Sequence, residues 1–385
     1  MRTFKFLPVP LALFLSISLW GQSAATSNSI AAPPMTPPSS PAPAATQPEA
    51  VAPVARSVKP VTPAPVLPPK VLMRRVAMIE IPGRPGFNDT ALYNGNLILA
   101  HPAASTVDVF SVAKRRVIAE IKDMKGADGI VIDAKAGKAY IANSDAKEIA
   151  VVSLKDWSVD RRIPLKASPS SLLLVPELNL LLASNWRDLS VSEIDLGNFG
   201  VGNTVALGGR PSYMAFDPAS KQIYVSLEDQ NAIAVLDPSL KLLKTIPLDA
   251  SQPTGLALDP ASRRLFVSVR YAVLALDLNS DSELNRVAAP DGVDALWLEP
   301  QRNKLYAAAN GSVLVMDTKD RLSVDREWAT DVKGHTLAFD SAKDMLYVPG
   351  GRDGRSKLLL LRSLDATAQA AVAQGYVPGE TVATK

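Results

Sequence analysis

The chain contains no cysteine. That excludes disulfides, thiolate metal sites, iron–sulfur clusters, CxxCH haem attachment and cysteine nucleophiles. Histidine is almost as scarce: His101 and His335 are the only two, which leaves little room for histidine-rich metal chemistry. Neither charge sign dominates, with 41 basic against 38 acidic residues and a formal net charge of +3. Without a clustered basic stripe there is no electrostatic case for a nucleic-acid partner. No GxSxG nucleophile elbow is present. Gly208-Gly209 and Gly350-Gly351 read as turn pairs rather than phosphate cradles. Long apolar runs are also missing. The most extended, Phe6 to Trp20, is broken by Pro8 and Pro10 and falls short of the roughly 20 residues of a spanning helix.

That run has the form of an export signal. Arg2 and Lys5 supply a positive start, and Ser23-Ala24-Ala25 supplies small residues for cleavage. Residues 1–25 are therefore read as a signal peptide, with no transmembrane segment once it is removed and a periplasmic or secreted destination. The cysteine-free remainder suits an oxidising compartment. Residues 26–70 are dominated by Pro, Ala, Ser and Thr and lack hydrophobic periodicity. Such a stretch buries too little surface to offset its conformational entropy, so it reads as a disordered linker. Residues 365–385, Ala-rich and then Gly/Pro-containing, read as a flexible tail.

Between these flanks, residues 71–364 carry a repeat. Ile98, Tyr140, Leu182, Tyr224, Phe266, Tyr306 and Tyr347 follow one another at 42, 42, 42, 42, 40 and 41 residues. Seven units holding phase over this length are a strong sign of repeat architecture. Seven residues before each register position lies a turn, such as Asp217-Pro218 or Asp259-Pro260, where Asp caps and Pro presets φ. The first unit uses Asn94-Gly95 instead, a two-residue hairpin signal. Each unit holds about four short apolar runs and no helical periodicity, and the runs are continuous, as when both faces of a sheet are covered. A β-helix needs shorter coils, and helical repeats need a 3.6-residue period. Four antiparallel strands per unit, seven times over, predict an all-β seven-bladed β-propeller. The last unit supplies three strands, around 335–339, 345–348 and 358–361. The orphan run Val76 to Ile81 is expected to complete that blade and close the ring.

The repeat resembles the YVTN/YncE-like seven-bladed propellers, with the lactonase-like and NHL-like propellers close behind. The residues that carry the resemblance are Pro211 to Pro218 with Ile223-Tyr224-Val225-Ser226, repeated as Pro253 to Pro260 with Leu265-Phe266-Val267-Ser268, and Tyr140-Ile141-Ala142-Asn143. These motifs specify blade architecture and are nearly silent on function.

In a propeller, the loops entering each innermost strand share a face with the loops between second and third strands, and that face surrounds the channel mouth. The entry positions are Asn88-Asp89, Asp128, Ser170-Ser171, Ser212, Thr254, Asp294 and His335. Asp89, Asp128 and Asp294 are candidate ligands for Ca²⁺ or another divalent cation. The resemblance to lactonase-like propellers implies that such an ion would polarise an ester, which makes a metal-dependent hydrolase the alternative reading. The same carboxylates equally serve to cap turns or pair with Arg. Trp186, Arg187, Tyr213, Arg270 and Tyr271 are residue types that dominate interface hot spots. With His101 and His335, expected to be neighbours across the ring closure, they form the candidate binding set. The leading expectation is an exported, monomeric, non-enzymatic binding module with a protein, peptide or glycan partner in the cell envelope.

Overall fold

The computed structural model describes residues 73–363. The expected signal peptide, linker and tail lie outside the described residues. Within them, 28 strands form seven four-stranded sheets, each antiparallel and ordered from an innermost to an outermost strand. This is the seven-bladed propeller that the repeat predicts. Short 3-10 turns are the only helical elements described.

The repeat builds identical turns as well as identical strands. Three residues before each register position sits a residue in the left-handed region: Gly95, Gly137, Asn179, Lys221, Arg263, Asn303 and Asp344. Their φ values run from 51 to 71°. A second left-handed series closes the hairpin between second and third strands, at Ser105, Lys147, Leu189, Asn231, Tyr271, Gly311 and Gly354. The aspartates that end turns act as caps. Asp217, for example, accepts from the backbone N–H groups of Ala219 and Ser220 at 3.1 and 3.3 Å. Such side-chain bonds replace ladder partners that a turn residue lacks.

The seven register residues are no more than 2% exposed. They pack between sheets rather than within one. Tyr224, Ile233 and Val235 of blade 4 meet Leu265, Val267 and Leu274 of blade 5 in one cluster. The core is therefore a ring of interfaces, each blade covering the next. That arrangement explains why the strands read as unbroken apolar runs.

The orphan N-terminal run closes the ring as expected. Strand Met73–Glu80 pairs antiparallel with Arg355–Ser363, Met73 opposite Ser363 and Glu80 opposite Lys357. Glu80 ion-pairs with Lys357 at 2.7 Å, and Ile81 N–H donates to the Ser356 carbonyl at 3.0 Å. One feature of blade 7 departs from the sequence reading. Its middle hairpin extends over Met345–Arg352 and Arg355–Ser363, longer than the apolar runs indicate. Pro349, Gly350 and Gly351 remain paired across the hairpin, and Gly351 also bridges to Lys333. Backbone pairing continues there although the apolar pattern has ended.

Candidate functional site

All seven blades send an entry residue into one cavity of about 360 Å³ at the channel mouth. Blades 1, 2 and 3 contribute Asn88, Asp128 and the Ser170-Ser171 pair. Blades 4 and 5 contribute Ser212, Tyr213 and Thr254, and blades 6 and 7 contribute Asp294 and His335. Trp186, Arg187 and Glu228 come from the outer loops of the same face.

Inter-blade hydrogen bonds set the inner ends of the strands. Ile130 N–H of blade 2 donates to Asp89 Oδ2 of blade 1 at 2.8 Å. Gly129 N–H donates to the Ser170 carbonyl of blade 3 at 2.7 Å. Thr254 Oγ1 of blade 5 donates to the Val293 carbonyl before blade 6 at 2.9 Å. Glycine is required where neighbouring backbones come this close. A Cβ on Gly129 would meet the Ser170 carbonyl oxygen at 2.6 Å, and one on Gly255 would meet the Asp294 carbonyl oxygen at 2.2 Å.

The carboxylates differ in what they hold. Both oxygens of Asp89 accept backbone N–H groups, from Thr90 and Ile130, each at 2.8 Å. Asp128 accepts from the Asn88 side-chain amide at 3.3 Å through Oδ1. Asp294 Oδ2 faces His335 Nδ1 at 2.7 Å. Burial pushes Asp89 up to about 6, against its two N–H donors and His335. Burial, and then the neighbouring Asp89 charge, push Asp128 up to about 7. Asp294 raises His335 above the usual histidine value against the opposing effect of burial, with Asp128 and Asp89 adding to it. Tyr213 is raised well above the tyrosine range by burial and then by Asp89, Asp294 and Asp128, so it stays a neutral O–H near neutral pH.

These contacts alter the expected metal centre. Asp128 and Asp294 border the cavity, and Asp89 interacts with Asp128 and Tyr213 beside it. Yet among the described residues no group of three His, Cys, Asp or Glu is arranged to hold a metal ion. Asp89 there accepts two backbone N–H groups, and Asp294 faces His335.

Each histidine has its own carboxylate partner, Asp108 for His101 and Asp294 for His335. His101 is fully buried, bonded through Nδ1 to Asp108 Oδ2 and through Nε2 to the Arg84 carbonyl, both at 2.7 Å. It also stacks on Phe87, with centroids 4.3 Å apart. Burial opposes its protonation, but the Asp108 bond and the Arg84 carbonyl outweigh it and raise its pKa. His101 is thus a latch for the segment joining the closing strand to blade 1, not a ligand-facing residue. A signal was available in the sequence: His101 shares repeat phase with Asn143 and Asn185, and all three are wholly buried at strand ends.

The aromatic and arginine candidates divide. The Trp186 indole N–H donates to Glu228, and Arg210 stacks over the ring at 4.7 Å. Arg187 pairs with Asp145 at 2.9 Å. This loop of blade 3 therefore reaches both neighbouring blades while bordering the cavity. Arg270 and Tyr271 do not line the cavity. They form the blade-5 hairpin turn, where Tyr271 is left-handed and 60% exposed, with Arg270 5.9 Å from its ring. Sequence reasoning placed Ser171 among the entry positions, but left it, Glu228 and Ser168 out of the binding set. Their repeat phase was the available signal for Glu228 and Ser171.

No family model matches the chain, and no curated protein matches it by sequence. Among solved structures, it is similar to virginiamycin B lyase from Staphylococcus aureus, known as a selenomethionine-substituted crystal structure. The TM-score is 0.62 at 12% identity, covering 76% of this chain and 99% of that one. At that identity the likeness is one of fold, and it supports the seven-bladed propeller.

Proposed function

We propose that this protein is a YVTN-type propeller that works as a binding module of the cell envelope or extracellular space. Its channel-mouth funnel receives a polar group of a protein, peptide or glycan partner. The observation that carries this reading is the convergence of all seven blades on one cavity whose polar groups are incompletely partnered. Seven entry loops that met only to fill the channel would satisfy one another. Here Ser212 and Tyr213 reach the cavity without a hydrogen bond from the protein, and Asp128 keeps one carboxylate oxygen free. Sites that bind small polar groups have this form, a concave pocket with a few convergent polar side chains.

The test is a panel of glycans and peptides screened against the parent protein, Trp186→Ala and Asp259→Asn. Asp259 caps a turn on the opposite face, where it accepts from the Ala261 N–H at 3.1 Å. The reading expects a ligand that Trp186→Ala weakens at least tenfold and Asp259→Asn leaves unchanged. Ligands insensitive to Trp186→Ala, or ester hydrolysis that depends on an added divalent ion, would overturn it.

A further inference from the structure

We infer that the group received by the funnel is a primary ammonium carried on a hydroxylated frame, the chemistry of an amino sugar. This inference rests on the funnel being the binding site. Its charged and titratable groups come from five blades. They are Asp89 of blade 1, Asp128 of blade 2, Tyr213 of blade 4, Asp294 of blade 6 and His335 of blade 7, with Glu228 and Arg187 at the rim. The entry positions of blades 3 and 5 add only hydroxyls, Ser170, Ser171 and Thr254. Three carboxylates therefore face one imidazole. Of the two nearby guanidiniums, Arg187 stands at the exposed rim paired with Asp145, and Arg210 lies against the Trp186 ring. The floor is acidic, and an anionic ligand would meet repulsion there.

A second, independent feature points to a ligand. Ser168 and Ser171 are 5% and 9% exposed and border the cavity. Their backbone N–H groups are bonded, to Asp188 Oδ2 at 2.7 Å and to Ser184 Oγ at 3.1 Å. Their hydroxyls have no partner in the protein. Neither Oγ belongs to the fully buried atoms without a partner, so each opens to the cavity, where a bound polar group can take the place of water. Hydroxyls and carboxylates that line one cavity complement a ligand with hydroxyls around one cationic nitrogen.

The choice of ammonium over a metal ion follows from acceptor supply. Calcium takes six to eight oxygens, whereas among the described residues no three acidic or histidine side chains are grouped to hold a metal ion. An ammonium presents three donors and no acceptor. The free oxygen of Asp128, a serine hydroxyl and the Tyr213 oxygen are acceptors of the kind it needs. Its charge also relieves the mutual repulsion of Asp89 and Asp128.

The test is calorimetric titration of the full-length protein with D-glucosamine, N-acetyl-D-glucosamine, D-glucose, L-lysine methyl ester and CaCl₂. Glucosamine should bind at least tenfold more tightly than N-acetylglucosamine and glucose, which lack the charge. It should also bind more tightly than the lysine ester, which has the amines but not the hydroxyls. Asp128→Asn should weaken glucosamine at least tenfold while retaining the parent's circular dichroism, and Ser171→Ala should weaken it several-fold. Equal binding of glucosamine and N-acetylglucosamine, with Asp128→Asn without effect, would overturn the ammonium assignment and leave the funnel as a neutral glycan site. Preference for the lysine ester would overturn the hydroxylated frame. Binding of Ca²⁺ in place of glucosamine would overturn the inference in favour of a metal. If no probe binds, the ammonium inference fails; if panel ligands also ignore Trp186→Ala, the funnel reading fails with it.

Discussion

Asp128 gives the sharpest stability test. Its carboxyl ionises at about 7 in the folded protein, against an ordinary value of 3.8. Burial and the Asp89 charge disfavour the anion where it stands. In the unfolded chain that anion is free in water. Below about pH 4 both states hold the proton and the group costs nothing. As pH rises from 4 to 7, the unfolded chain releases its proton while the folded protein retains it, so stability falls. Above pH 7 the loss is complete. At 1.36 kcal/mol per pH unit, the displacement is worth about 4 kcal/mol. Asp128→Asn keeps the shape, and its carbonyl still accepts the Asn88 amide, but it cannot ionise. The variant should melt with the parent at pH 4 and several degrees above it at pH 8, since 1 kcal/mol corresponds to about 2 °C in a domain of this size. Differential scanning calorimetry at the two pH values decides the matter. Equal melting at both, or a variant less stable at pH 8, would show that Asp128 is solvated or already paired. Retention of a carboxyl that weakens the fold is the pattern expected of a group kept for binding.

Two further outcomes concern the ring. Phe266, fully buried between blades 5 and 6, should cost roughly 3–5 kcal/mol when truncated to Ala. A denaturant midpoint equal to the parent's would refute its place in the core. Deleting residues 71–82 removes the strand that covers Arg355–Ser363. The exposed edge should lower the melting temperature and promote self-association on size exclusion, and unchanged behaviour in both assays would refute the closure.

The ring was legible in the sequence because every blade must bury the same two faces, so Tyr140, Tyr224 and Phe266 recur at fixed spacing. The funnel was partly legible for the same reason: repeat phase places Asp128, Asp294 and His335 on one face. What phase does not carry is which oxygen remains free. Asp89 is tied by the N–H of Ile130, a residue of the next blade, and that bond depends on how closely two sheets approach. The fate of His101 likewise turned on Asp108 and the Arg84 carbonyl, which lie on a neighbouring strand and a connecting segment. Pairing of buried polar groups is settled by tertiary distance, whereas periodicity reports only direction.

The antiparallel closure also fixes how the propeller is presented. Glu80 leads through the segment containing Arg84 and Phe87 to the funnel entry at Asn88, so the opposite end of that strand, Met73, lies on the far face. Ser363 is paired directly with Met73, so the chain enters and leaves the ring at one point, away from the mouth. A handle attached at either side would pull on the same end of the same strand pair. Force applied between the two handles would open that pair bond by bond, like a zipper. Force on a single handle would leave the funnel pointing away from its anchor, turned toward whatever approaches.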